Sequence, residues 1–124
     1  MAYQFDNMMN FIDTQMAHDA VSDFMRAPLT GDIMEVPGIN SSEKQKLALT
    51  PEPIHTTFQL IGKVLMLKTF DPRTMQLINC EQHCALVAHW LYHKGIANGH
   101  SIALILIEKL GTMMPGLYDI DQFN

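Results

Sequence analysis

The sequence predicts an all-α fold, a compact helical domain containing a helix-hairpin-helix and preceded by an N-terminal amphipathic helix. Three observations carry this expectation. Apolar residues recur at spacings of three and four along most of the chain, which puts them on one face of a helix. Breakers punctuate that rhythm at Pro28, Pro51, Pro53, Pro72 and Gly95. Between the first two breakers, residues 32–49 (DIMEVPGINSSEKQKLAL) combine several independent signals for one tight bend. Of the 124 residues, 48% are apolar, enough for one folded domain and too few residues for two. The organisation reads as an acidic amphipathic helix over residues 1–28, the helical domain over 29–118 and a tail over 119–124.

The elements follow in order. Phe5, Met8, Met9, Ile12, Met16, Ala20 and Phe24 form a stripe with most acids off it, so residues 5–26 read as one amphipathic helix ending before Pro28. Its apolar side packs on the domain or docks a protein partner. In the bend, Ile33, Val36 and Ile39 lie three apart, and Pro37 and Gly38 stop the first helix. Gly38 takes a positive φ without steric cost, and Asn40, three residues before Glu43, reads as the N-cap of a second helix with a capping box. The prolines of LTPEPIHTT make a loop, after which Thr56 or Thr57 caps a helix over 57–68 that is apolar on nearly every side. Such a helix belongs at the centre of a fold or at an oligomer contact, and Gly62 inside it suggests a close backbone approach. A Pro turn at FDPRT precedes a helix over about 75–94, closed by Lys94 and Gly95. Asn98 or Ser101 opens the last helix, whose Ile102, Leu104, Ile105, Leu106 and Leu110 fill a core up to Gly111; residues 113–124 read as a turn and surface tail.

Composition narrows the function. The longest apolar run, residues 102–107, is far shorter than the ~20 residues of a membrane span. MAYQFDNMM has no basic residue ahead of an apolar stretch, so a secretory signal is not expected, and Cys80 and Cys84, one helical turn apart, suit reduced thiols. Together these suggest an intracellular protein of nucleus or cytoplasm. Cys80, His83, Cys84, His89 and His93 resemble a zinc set, but at ~100° per residue they cannot converge from one helix. His89 and His93 alone supply half a site; no metal or other cofactor is expected. Neither a G-x-S-x-G elbow, a P-loop nor a G-x-G-x-x-G loop occurs, and the acids are scattered, so the chain does not read as an enzyme.

The bend itself carries the functional expectation. A helix N-terminus presents unpaired N–H groups and a positive dipole end to an anion. The amides of Gly38, Ile39, Asn40 and Ser41, followed by the ammonium groups of Lys44 and Lys46, fit the phosphate backbone of double-stranded DNA without reading its sequence. The net charge of −5 opposes this until its distribution is seen: residues 1–35 hold six acids against Arg26 alone, and residues 43–109 hold seven bases against five acids. So small a surplus predicts binding that falls steeply with salt.

Four motifs in one order resemble the barrier-to-autointegration factor family: SDFMRAPLTGD, VPGINSSEKQKL, TTFQLIGKVLMLK with its internal Gly62, and HWLYHKGIAN, together covering about residues 22–110. The resemblance implies a five-helix subunit that forms homodimers and binds or bridges duplex DNA as a structural component of chromatin. It implies phosphate contacts from Gly38, Ile39, Asn40 and the helix after them, a basic contact at Lys46, and a dimer contact around Leu86, Val87 and Trp90. Asn40 stands where the family carries a second glycine, Glu43 puts a carboxylate in the first helical turn, and Gly99, His100 and Ser101 replace bases. These departures favour a second reading: a protein-protein assembly subunit that keeps the fold without binding DNA. Self-association is expected in either case from the apolar helix around Gly62.

Overall fold

The computed structural model describes residues 15–120, and these are all-helical, with five α-helices, one 3-10 turn and two isolated bridges but no strand among the described residues. The helices are α1 (Gln15–Arg26), α2 (Ser41–Leu47), α3 (Thr57–Met66), α4 (Cys80–His93) and α5 (Gly99–Met113), and the 3-10 turn is Ile33–Glu35. Residues 1–14, with the expected stripe from Phe5 to Ile12, lie outside the described residues, as do 121–124. Among residues 19–26 of α1, Phe24 of the expected stripe is buried together with Val21, while Ala20 of that stripe is exposed.

The centre of the fold is α5. Every residue from 102 to 110 is buried, so this helix is wrapped on all sides, which is where a helix apolar around its whole circumference belongs. It pairs with α4 as a helical hairpin through Gly99, where a Cβ would stand 3.0 Å from the Leu91 Cβ and 3.1 Å from the Ala88 carbonyl oxygen. The greasy helix α3, expected at the centre or at an oligomer contact, turns only Thr57, Leu60, Ile61 and Val64 inward. Gly62 does not serve a close approach, because nothing lies within 4 Å of where its Cβ would be.

Local capping fixes the helix starts. Asn40 with Glu43, Thr56 with Gln59 and Asn79 with Gln82 each form a complete capping box, satisfying two orphan N–H groups per helix. The third box corrects the expected start of α4. Residues 75–79 are not helical: Met75 has φ 58°, Phe70 and Leu77 form a bridge, and the Ile78 amide donates to the Thr69 carbonyl at 3.0 Å.

Three lysines close carbonyl-rich ends from a distance. Lys109, 3% exposed, donates its Nζ to the carbonyls of Phe24 (2.7 Å), Ala27 (2.6 Å) and Met25 (3.3 Å), so α5 terminates α1 with a cation where the dipole is negative. Lys94 does the same for the loop after α2, reaching the carbonyls of Leu49 and Pro51 at 2.7 Å and of Glu52 at 3.0 Å. Lys68 donates to the Ile78 carbonyl at 2.6 Å.

The segment after α5 is not a surface tail up to its end. Tyr118 is 3% exposed, and its hydroxyl sits 2.7 Å from Nδ1 of the buried His83, whose Nε2 is 2.6 Å from the Val64 carbonyl. A carbonyl can only accept, so Nε2 carries the proton and Nδ1 accepts from the tyrosine. Burial pulls the His83 imidazole below its ordinary pKa, the Val64 carbonyl works against this and the Lys68 charge adds to it. The Cys80 thiol contacts the Asp119 carbonyl at 3.3 Å, and Ile120 occupies the space a Cβ on Gly111 would need. Residues 118–120 are therefore packed against the core. No described helix is long and apolar enough to cross a membrane.

Candidate functional site

Two surfaces compete for the role of functional site, the bend before α2 and the outer face of α3. In the bend, the first limb is the single 3-10 turn Ile33–Glu35, with Asp32 Oδ1 accepting from the Met34 amide at 3.0 Å. The Ile39 amide donates to the Val36 carbonyl at 3.0 Å, and Gly38, at φ 97°, makes the turn. Ile33, Val36 and Ile39 all enter the core, as their spacing predicts. The bend is docked on the start of α5: Asn98 Nδ2 donates to the Gly38 carbonyl at 3.2 Å, and a Cβ on Gly38 would stand 3.0 Å from both Asn98 Nδ2 and Ile102 Cγ1.

The amides of the bend are largely taken by the chain itself. Asn40 donates to Glu43 Oε1 at 3.1 Å, and Asn40 Oδ1 accepts from Ser42 at 3.0 Å and Glu43 at 3.4 Å. Of the amides expected to face an anion, those of Gly38 and Ser41 remain without an acceptor among the described hydrogen bonds, while those of Ile39 and Asn40 are engaged. The Glu43 carboxylate occupies the position at the helix start that a phosphate would need.

The bases are similarly committed. Of the seven after residue 35, Lys68, Lys94 and Lys109 hold backbone carbonyls and Lys63 pairs with Glu52 at 2.6 Å. That lysine holds the Glu52 carboxyl below its ordinary pKa. Lys44 is exposed beside the bend; Lys46 is half-buried, its stem laid over Gly95 at the edge of a small cavity shared with Trp90, His93 and Lys94. Trp90 lies under two ammonium groups, Lys63 at 5.5 Å and Lys94 at 6.0 Å from its ring centroid.

The base of the bend is fastened to α3 by Glu35. Its carboxylate accepts from the Thr30 and Gly31 amides at 3.0 Å and from the hydroxyl of the fully buried Thr57. Burial pushes the Glu35 carboxyl upward, and the hydrogen bonds from Thr57, Thr30 and Gly31 outweigh that and hold it below its ordinary value.

The α3 face has the opposite character. Phe58 is 59% and Met66 67% exposed, and an apolar groove of about 490 Å³ runs beside Gly62 between Phe58, Leu65, Leu29 and Met113. Leu65 also borders a second hollow lined by Leu77 and Leu117, both exposed, so the apolar surface continues toward the chain end. On α4 the expected dimer residues separate. Val87 is fully buried in the subunit core and is not available to a second copy; the outward stripe is Leu86, His89, Tyr92 and His93. Phe58 escaped sequence reasoning because an aromatic at a helix start reads as core. Its signal was the Gly62 one turn later on the same face.

Compared with known proteins, the chain matches no family model, no curated protein and no solved structure. Its likeness to the barrier-to-autointegration factor family therefore rests on the four motifs alone. Among the described residues, no group of three or more His, Cys, Asp or Glu side chains is placed to hold a metal. Cys80 and Cys84 are buried and not joined in a disulfide, and the Cys84 thiol is pushed up to about 12 by burial first and by its neighbours Cys80 and Glu81, so it behaves as a small apolar group.

Proposed function

We propose that the protein is an assembly module whose first partner is a second copy of itself, joined through the outer face of α3. The observation that carries this reading is the juxtaposition of an exposed Phe58 with an open groove at Gly62, one helical turn away. A two-fold contact requires a patch that is complementary to itself, and a projecting ring beside a recess meets that requirement: each Phe58 fills the groove of the other copy. The groove walls, Leu29, Ile61, Leu65 and Met113, are apolar, and so much clustered hydrophobic surface marks an interaction site on a small domain.

The test is sedimentation of the full chain across micromolar concentrations, beside Phe58→Glu and Gly62→Glu. The wild type is expected to run as a dimer and both variants as monomers with unchanged helical circular dichroism. A wild-type monomer at all concentrations overturns the reading.

The second reading is sequence-independent binding of duplex DNA by the bend as a helix-hairpin-helix. It is favoured by the exposed Lys44, three residues after Ser41, with Lys46 two residues further along the same helix, and it is compatible with the proposed dimer. Fluorescence anisotropy with random duplex at low salt tests it: binding lost in Lys44→Glu and Lys46→Glu supports it, and absence of wild-type binding ends it.

A further inference from the structure

The outer face of α4 carries a pair of imidazoles that neither reading above uses. His89 and His93 are both exposed, one helical turn apart, with their Nε2 atoms 3.0 Å from each other and their rings edge to face at 4.4 Å between centroids. The α3 groove includes no α4 residue, so the pair is separate from the pairing surface.

We propose that His89 and His93 form a bidentate site for a divalent late transition metal, with Ni²⁺ and Cu²⁺ preferred to Zn²⁺. Two metal–nitrogen bonds of about 2.0–2.1 Å span about 2.9 Å when they meet at a right angle and about 3.4 Å at the tetrahedral angle. The 3.0 Å separation, set here by the hydrogen bond between the two rings, already lies near the right-angle span, which belongs to square-planar or tetragonal copper and nickel. The helix supplies both ligands at fixed spacing, so the second bond forms without further ordering of the backbone.

Among the described residues no third ligand joins the pair. Glu52 borders the same cavity as His93, but its carboxylate is paired with Lys63 at 2.6 Å. Lys94, also on that border, has its ammonium turned into three carbonyls rather than toward the imidazoles. The Tyr92 ring packs edge to face on that of His93, 5.9 Å between centroids. Water completes the coordination.

The experiment is calorimetric titration of the full chain with NiCl₂, CuCl₂ and ZnCl₂, repeated on His89→Gln, His93→Gln, the double variant and a His55→Gln control. Both target residues are exposed, and circular dichroism checks that each variant folds. The expected result is one Ni²⁺ per chain, bound at least tenfold more tightly than Zn²⁺, with at least a tenfold loss in each single variant and none in the control. Nickel affinity unchanged in the double variant, or Zn²⁺ bound more tightly than Ni²⁺, overturns the proposal.

Discussion

The bend before α2 and the outer face of α3 lie on either side of one fastening, the Glu35 carboxylate and the Thr57 hydroxyl, and they have opposite accounts with the solvent. In the bend, polar groups that could have met a ligand are satisfied from within: Asn40 and Glu43 cap each other, Asn98 holds Gly38, and Lys94 holds the loop after α2. On α3, apolar groups that could have been buried from within are left outside, Phe58 and Met66 most of all. Hydrogen bonds are local and can be completed by a short stretch of chain, whereas a hydrophobic face is completed only by another surface. The difference teaches that the polar groups of the bend serve the stability of the fold itself, while the apolar face of α3 is left exposed. Changes in the first should therefore act on folding, and changes in the second on association.

The largest effect is expected at Lys109. Lys109→Met keeps the buried stem and removes the ammonium that holds three α1 carbonyls, at a cost of about 3 kcal/mol by analogy with breaking buried charged pairs. Chemical denaturation measures it; a loss below about 1 kcal/mol would mean that α1 is not fastened through its carbonyls. Gly38→Ala comes next. A positive φ disfavours any side chain, and the new methyl meets Asn98 and Ile102, so a loss of about 2 kcal/mol is expected with the dimer unaffected. Asn40→Ala breaks one capping box and should cost about 1 kcal/mol.

Acid separates the two halves differently. Both His83 and Glu35 bind protons less readily in the fold than in the unfolded chain, whose ordinary values are 6.5 and 4.5. The stability they contribute is complete above those ordinary values and is lost as the pH falls below them, first through His83 and then through Glu35. Thermal melts from pH 7.5 to 4 should show a falling midpoint, and His83→Gln should remove the first part of that fall. A midpoint that rises on acidification would reverse the assignment. The smallest effect is expected at Phe58: Phe58→Glu should leave the stability of the subunit within about 0.5 kcal/mol while abolishing the dimer.

One buried group goes against the pattern. Glu108 is 8% exposed, and its Oε2 has no hydrogen-bond partner among the described residues, so burial raises its pKa. Because the unfolded chain releases this proton more readily, the cost grows as pH rises above the ordinary value of 4.5, and Glu108→Gln should stabilise the fold near neutral pH.

Much of this architecture was written locally. The all-helical class followed from spacing, the cap at Asn40 from residue type and the interval to Glu43, the cap at Thr56 or Thr57 from residue type, and the core trio Ile33, Val36 and Ile39 from their period. These are properties of a few neighbouring residues, which a linear reading captures because the partners lie within one turn. The third box, Asn79 with Gln82, was equally legible but was overrun by an apolar rhythm that continues through Met75 and Leu77. What the tertiary structure alone decided are the contacts between distant positions: Lys109 on α1, His83 with Tyr118, and Asn98 on Gly38, separated by up to 85 residues. It also decided which of two equally apolar helices is enclosed. Composition ranks α3 and α5 alike, and only the placement of the helices, with α1, α3 and α4 packed against α5, leaves the side of α3 that bears Phe58 and Gly62 open.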